Sequence, residues 1–153
     1  MTAVHYLCTG SQITAWGGYD QGAITMDGSQ WFPYQEAIVV TPPFPEYCSG
    51  HSTFSAASAY TLQQLTRSDN FGDSYTAPPG SSQIEPGYAP TQSVTLSWPT
   101  FSAAAAEAGI SRQYGGIHFN QGDQDGRALG KQVAAQAFPK VLGFMTGKLP
   151  PGS

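Results

Sequence analysis

The run Pro45-Glu46-Tyr47-Cys48-Ser49-Gly50-His51-Ser52 leads straight into a segment of helical spacing. A helix start there aims unpaired N–H groups and the positive end of the helix dipole at whatever lies in front of it. Gly50 lets an anion approach the backbone, Ser49 adds a hydroxyl donor, and His51 would sit beside the bound anion. Alone, a Ser-Gly-His tripeptide is better read as an ordinary N-cap followed by a surface histidine. A second run, Ser111-Arg112-Gln113-Tyr114-Gly115-Gly116-Ile117-His118, sets a guanidinium six residues before an imidazole. On an uninterrupted helix these groups would stand about 9 Å apart along the axis and on different faces. Gly115-Gly116 is expected to break that geometry and turn both side chains toward one site. Arginine suits two oxygens of a tetrahedral anion, and neutral imidazole serves as a nucleophile or as a metal-type ligand. A capping arginine and a buried structural histidine are the plainer alternative for this run alone. Together the two runs outline a site for a tetrahedral oxyanion such as phosphate, with Ser49, Gly50, His51, Arg112 and His118 at its core.

The elements that must position these groups are read from periodicity. Phe54, Ala57, Thr61, Leu62 and Leu65 follow helical spacing and predict a helix over 52–67, whose Ser55, Ala56 and Ala59 would let another helix approach closely. Pro99 stands at a good N1 position for a short buried helix over Phe101 to Ala108, with Gly109 as its C′ residue. A last helix is expected from Asp123 to Phe144, with Leu129, Val133, Ala137, Val141 and Phe144 on one stripe and a kink at Pro139. Residues 1–47 read as irregular, apart from a short extended stretch at Ala37–Val40. Residues 68–98 read as a long covering or partner-binding loop, and the tail from Leu149 to Ser153 is expected to fray. No internal repeat or domain boundary stands out, so the expectation is a single all-α domain portion of two to four helices joined by long irregular loops.

Composition narrows the partners. Only 10% of the 153 residues are charged and the formal net charge is −4, with no basic run or basic amphipathic stretch, which argues against nucleic acid or an anionic membrane surface. No apolar run approaches bilayer length and no signal-like N-terminus is present, so the expectation is a soluble chain. Its compartment stays open, the extracellular space or the periplasm included. Cys8 and Cys48 would pair in an oxidising compartment or stand as two free thiols, and their separation fits no metal-ligand spacing.

The two runs resemble the superfamily that unites vanadium-dependent haloperoxidases with type-2 phosphatidic acid phosphatases, whose pattern is K-x6-R-P, then P-S-G-H, then S-R-x5-H. Cys48-Ser49-Gly50-His51 matches the second element with Cys48 in place of proline, and Ser111-Arg112 to His118 matches the third. The surrounding Thr41-Pro-Pro-Phe-Pro-Glu-Tyr47 and Tyr114-Gly-Gly-Ile-His-Phe119 look more like the haloperoxidase branch, and the resemblance covers roughly residues 1–145. It implies a partial bundle of this helical type with vanadate as cofactor, in a site that phosphate or sulfate would also fit. His118 would bind vanadium or, in a phosphatase, attack phosphorus. Arg112, Ser49 and the Gly50 N–H would hold equatorial oxygens, His51 would act as acid-base partner, and Phe44 would line the cavity. One pocket serves both chemistries because trigonal-bipyramidal vanadate resembles the in-line transition state of phosphoryl transfer.

Two departures bear on what the chain can do. Phosphatase members usually carry an aspartate four residues after the final histidine to orient it. Here that position is Gly122, so Asp123 is the candidate for the role, with N-cap of the last helix as its competing one. The lysine and arginine of K-x6-R-P are absent: Arg67 is the first cation in the chain, and Met1-Thr2-Ala3-Val4 resembles the residues just after R-P in the family. The leading expectation is therefore a haloperoxidase-type protein that oxidises halide with hydrogen peroxide and needs Lys and Arg from an upstream segment, a partner chain or a homo-oligomer. An acid phosphatase acting on a phosphoester through His118, and a non-catalytic fragment, subunit or pseudoenzyme that keeps the fold, are the alternatives.

Overall fold

A computed structural model describes residues 3–36, 38 and 46–148. Along the chain run α1 (Ala3–Cys8), β1 (Gln12–Trp16), β2 (Ala23–Asp27), a 3-10 turn (Gly28–Gln30), α2 (Gly50–Thr66), β3 (Asn70–Ala77), β4 (Val94–Thr100), α3 (Phe101–Tyr114) and α4 (Asn120–Thr146). The helical-bundle expectation holds, but the chain is not all-α. It carries two small sheets, one pairing β1 with β2 and one pairing β3 with β4. It divides into two compact units, residues 1–45, 74–96 and 115–117 in one and residues 46–73, 97–114 and 118–153 in the other.

In the first unit, β1 and β2 form an antiparallel hairpin with Gln12 opposite Asp27 and Trp16 opposite Ala23. The turn closes through Gly17 N–H to Gly22 O at 2.7 Å, with Gly18 and Gly22 in positive-φ conformations open to residues without a Cβ. Asp27 accepts from the Ser29 hydroxyl and backbone N–H, which hold its carboxyl below the usual range. Glu85 accepts from Trp16 Nε1 at 3.1 Å and from the Tyr34 hydroxyl at 2.6 Å. The stretches read from sequence as irregular, 1–47 and 68–98, thus contain regular elements. Their short strands alternate with turn residues too closely for periodicity to register. The Ala37–Val40 and Leu149–Ser153 expectations fall on positions that, apart from Ile38, lie outside the described residues.

The second unit is built on α2, which packs against both α3 and α4. Among the described residues its buried apolar side chains are alanines, Ala59, Ala105 and Ala134, one from each helix. The buried positions on α4 include Gly122, Gly126, Gly130 and Ala134, a ridge of residues four apart. A Cβ on Gly130 would run into the carbonyl of Thr53, so the two backbones meet where side chains would otherwise separate them. This corrects the expected stripe of Leu129, Val133, Val141 and Phe144, all of which point outward. Small residues, which carry little weight in a hydrophobic pattern, here mark the inner face.

Helix boundaries shift accordingly. α2 begins at Gly50, two residues before the predicted start. α3 begins at Phe101 with Pro99 still in β4, because Thr100 Oγ1 accepts from Ala103 N–H at 2.9 Å and Asp69 accepts from Ser102 N–H at 3.1 Å. Gly109 is not its C′ residue. It lies buried inside α3, where a Cβ would enter the space of the Asp123 carboxylate and the Ser52 hydroxyl, and the helix continues to Tyr114. α4 starts at Asn120 and carries Pro139 within it.

Candidate functional site

Ser49 is the N-cap of α2 and is fully buried, with its Oγ 3.2 Å from the Ser52 N–H. Ser52 Oγ lies 2.8 Å from Ser49 Oγ and 2.6 Å from Asp123 Oδ1. A hydroxyl carries one hydrogen and an ionised carboxylate can only accept, so Ser52 gives its hydrogen to Asp123 and the contact between the two serines draws on the hydrogen of Ser49. Ser49 N–H donates to Gly122 O at 3.1 Å, and Ser49 O accepts from Thr53 N–H at 3.0 Å. The cap is thus tied to α4 at several points. Among the described residues, no acceptor meets the N–H groups of Gly50 and His51. No described heavy atom lies within 4 Å of the place a Gly50 Cβ would take. The helix start therefore presents two backbone donors that no described residue takes up.

Asp123 is 1% exposed and sits in the first turn of α4. It accepts from Ser52, from Gln113 Nε2 at 3.0 Å, and from Arg127 Nε and Nη2 at 2.8 and 2.5 Å. Burial pushes its carboxyl up, but the Arg127, Ser52 and Gln113 hydrogen bonds outweigh that and leave it below the ordinary value. Arg127 also reaches the carbonyl of Ala106 at 2.8 Å. Neither role expected of Asp123 describes this arrangement. The N-cap of α4 is Phe119, which makes no side-chain cap. The carboxylate joins α2, α3 and α4 as a polar keystone instead.

The group at His118 is Glu46. His118 Nδ1 lies 3.0 Å from the Glu46 carbonyl and 3.2 Å from its Oε1, and the His118 side chain is 5% exposed. A backbone carbonyl only accepts, so Nδ1 carries a hydrogen, which in the neutral ring leaves the lone pair on Nε2. Glu46 Oε1 also accepts from Phe119 N–H at 2.9 Å. Sequence reasoning missed Glu46, Gln113, Ser52 and Arg127. Glu46 borders the motif, yet nothing local links it to a histidine 72 positions away.

α3 ends at Tyr114 and Gly116 adopts a φ of 70°, the break expected between Arg112 and His118. His51 is exposed, and its pKa is lowered first by desolvation and then by the charges of Arg112 and His118, so the two runs do approach each other. Burial also lowers the pKa of Arg112, whose side chain is partly enclosed. The structure thus brings together His51, Arg112, His118 and the start of α2 at Gly50. Phe44 lies outside the described residues. Cys48 is half-buried with Sγ 3.8 Å from Thr53 Oγ1, and Cys8 and Cys48 are both free thiols.

A buried histidine held at Nδ1, an arginine and a helix start are set within a glycine-rich helical bundle. The chain belongs to the family described as the VCPO second helical-bundle domain, whose model matches residues 1–147. It is similar to the holo form of a bacterial vanadium-dependent chloroperoxidase, with 26% identity and a TM-score of 0.78 over 89% of this chain and 28% of that one. The apo form of a bacterial vanadium-dependent chloroperoxidase gives 26% identity and 0.79 over 89% and 29%. A bacterial vanadium-dependent iodoperoxidase is 32% identical over 80% of this chain and 24% of that one, with a TM-score of 0.49. No curated protein matches. The chain spans just over a quarter of the length of the chloroperoxidase chains it matches. Its relationship is haloperoxidase-like, within the superfamily of vanadium haloperoxidases and type-2 phosphatidic acid phosphatases. Among the described residues, no helix is long and apolar enough to cross a membrane.

Proposed function

We propose that this chain supplies the histidine, arginine and helix-start portion of a haloperoxidase-type vanadate site, and that further cations come from outside it. The observation that carries the reading is the ordering of His118, whose Nδ1–H is held at the Glu46 carbonyl so that Nε2 is the atom offered as ligand. Arg112 and the N–H groups of Gly50 and His51 are the donors suited to oxyanion oxygens. Ser49 turns its hydrogen inward in this arrangement, so its share in gripping the anion requires that hydrogen to rotate outward. His51, neutral and exposed, suits proton exchange with solvent or with peroxide. Vanadate, when bound, would supply the Lewis-acid centre for oxidation of halide by hydrogen peroxide.

The donor set fits the anion's shape but not its charge. A dehydrated dianion needs several compensating charges. Of the six cations, Arg127 is engaged by Asp123, and Arg67 ends α2, about 25 Å from its start by helix rise. Lys131, Lys140 and Lys148 lie further along or beyond α4, leaving Arg112 at the site. The K-x6-R-P element of an upstream segment, a partner chain or a second copy would complete it. Support comes from the bundle itself. Among the described residues its buried apolar side chains are three alanines, and Phe54, Leu62 and Phe71 stand exposed around a groove of about 330 Å³ between α2 and α3, an apolar face suited to further helices.

Halide oxidation assays with vanadate and peroxide test this, run on the chain with and without a polypeptide carrying K-x6-R-P. Turnover only in the combined sample is expected. Robust turnover by the isolated monomer contradicts the missing-cation argument, and phosphoester hydrolysis without halide oxidation moves the reading to a phosphatase.

A further inference from the structure

The position four residues after His118, where phosphatase relatives place an orienting aspartate, is Gly122. The structure shows what fills that space. A Cβ built on Gly122 would fall onto the carboxylate of Glu46, meeting Oε1 first. The same Oε1 accepts from Phe119 N–H at 2.9 Å and lies 3.2 Å from His118 Nδ1. We infer that Glu46 is the positioning residue for His118, its carboxylate delivered from in front of α2 into the space that an aspartate side chain at 122 would use. This rests on the reading of His118 as the ligand of the site.

Three features make the pairing more than a passing contact. Glu46 meets Nδ1 with both its backbone carbonyl and its side chain, so the ring is held by two acceptors from one residue. The Phe119 N–H pins the carboxylate in the turn just after His118, so the ring and the start of α4 are oriented together. Gly122 is buried, and its lack of a side chain is what admits the carboxylate. Glycine at 122 and glutamate at 46 are then one exchange: the carboxylate has moved to another place in the sequence and stayed at the same imidazole. Second-sphere partners of this kind fix the tautomer and ring orientation of a ligating histidine, and their loss typically weakens metal binding about 10–100-fold.

The exchange can be reversed. The chain is labelled with nitrogen-15 histidine, and solvent exchange of the His118 Nδ1–H is followed by NMR at one fixed pH, without vanadate. Glu46→Ala should speed this exchange about tenfold, the size expected for losing a hydrogen bond to a charged group. Glu46→Gln, whose amide oxygen keeps both acceptor contacts, should retain most of the protection. Gly122→Asp alone should destabilise the fold, since its side chain would collide with Glu46 and set like charges together. Glu46→Ala with Gly122→Asp should recover the slow exchange, whereas Glu46→Ala with Gly122→Ala, which shares the gain in helix propensity, should not. Unchanged exchange in Glu46→Ala, or equal exchange in the two double variants, overturns the inference. Vanadate affinity, measured with the K-x6-R-P polypeptide present, should fall about tenfold or more in Glu46→Ala. If the wild-type chain binds no vanadate at all, the proposed function fails while the imidazole measurement still decides this inference.

Discussion

Replacing Asp123 by alanine strikes the point where the three helices are joined by charge. The carboxylate is 1% exposed and receives Ser52, Gln113 and two nitrogens of Arg127, so its removal leaves a guanidinium, an amide and a hydroxyl without their acceptor. Breaking one side of a buried pair costs about 3–5 kcal/mol, and the low end applies here because the Arg127 side chain is 28% exposed and keeps the Ala106 carbonyl. A domain of this size holds about 5–15 kcal/mol in total, so the variant should be marginal, with Tm lowered on the order of 10 °C. Asp123→Asn keeps the shape, loses the charge, and should show most of the same loss. Urea unfolding followed by circular dichroism across a pH series checks this. The folded-state pKa of Asp123 lies below its unfolded value, so the stability it confers is fully present above about pH 4 and lost as pH falls through the folded pKa. Wild type and Asp123→Asn should therefore differ at neutral pH and converge in acid. Equal stability at pH 7, or a gap that persists unchanged into strong acid, would refute the keystone role.

The other expectations rest on the same packing and charges. Gly130→Val should cost about 3 kcal/mol or prevent folding, since its side chain must displace the Thr53 carbonyl, and chemical denaturation measures it. His51→Gln should flatten the pH dependence of stability just below pH 6.5. The lowered pKa of His51 means the unfolded chain binds more protons there, so wild-type stability falls with acid in that window and the variant's should not. In a completed site, His118→Ala should abolish vanadate binding while His51→Ala spares binding and depresses turnover, and equal loss of affinity in both would contradict the division of roles.

The local signals of the candidate site were more legible in the sequence than the fold around them. Ser49, Gly50 and His51 at a helix start, and Arg112 and His118 across a glycine break, each depend on local chemistry that a sequence displays directly. The inner face of α4 was hidden because Gly122, Gly126 and Gly130 contribute contact by having no side chain, while Leu129 and Val133 form a better-looking stripe that faces out. β1 to β4 were missed because strands of five to eight residues among glycines, prolines and serines give too few alternations to detect. Glu46 and Arg127 were missed for another reason. Their partners are set by tertiary approach, and a carboxylate in a loop gives no sign of which imidazole it will meet.

His118, Arg112 and the start of α2 are proposed to form one anion site that is short of cations. Vanadium-51 NMR titration of the chain, alone and with the K-x6-R-P polypeptide, tests this most directly when wild type and His118→Ala are compared. Weak binding alone and strong binding when the polypeptide is present, lost in His118→Ala, is the result expected. Strong binding by the isolated chain, or binding that survives His118→Ala, would contradict it.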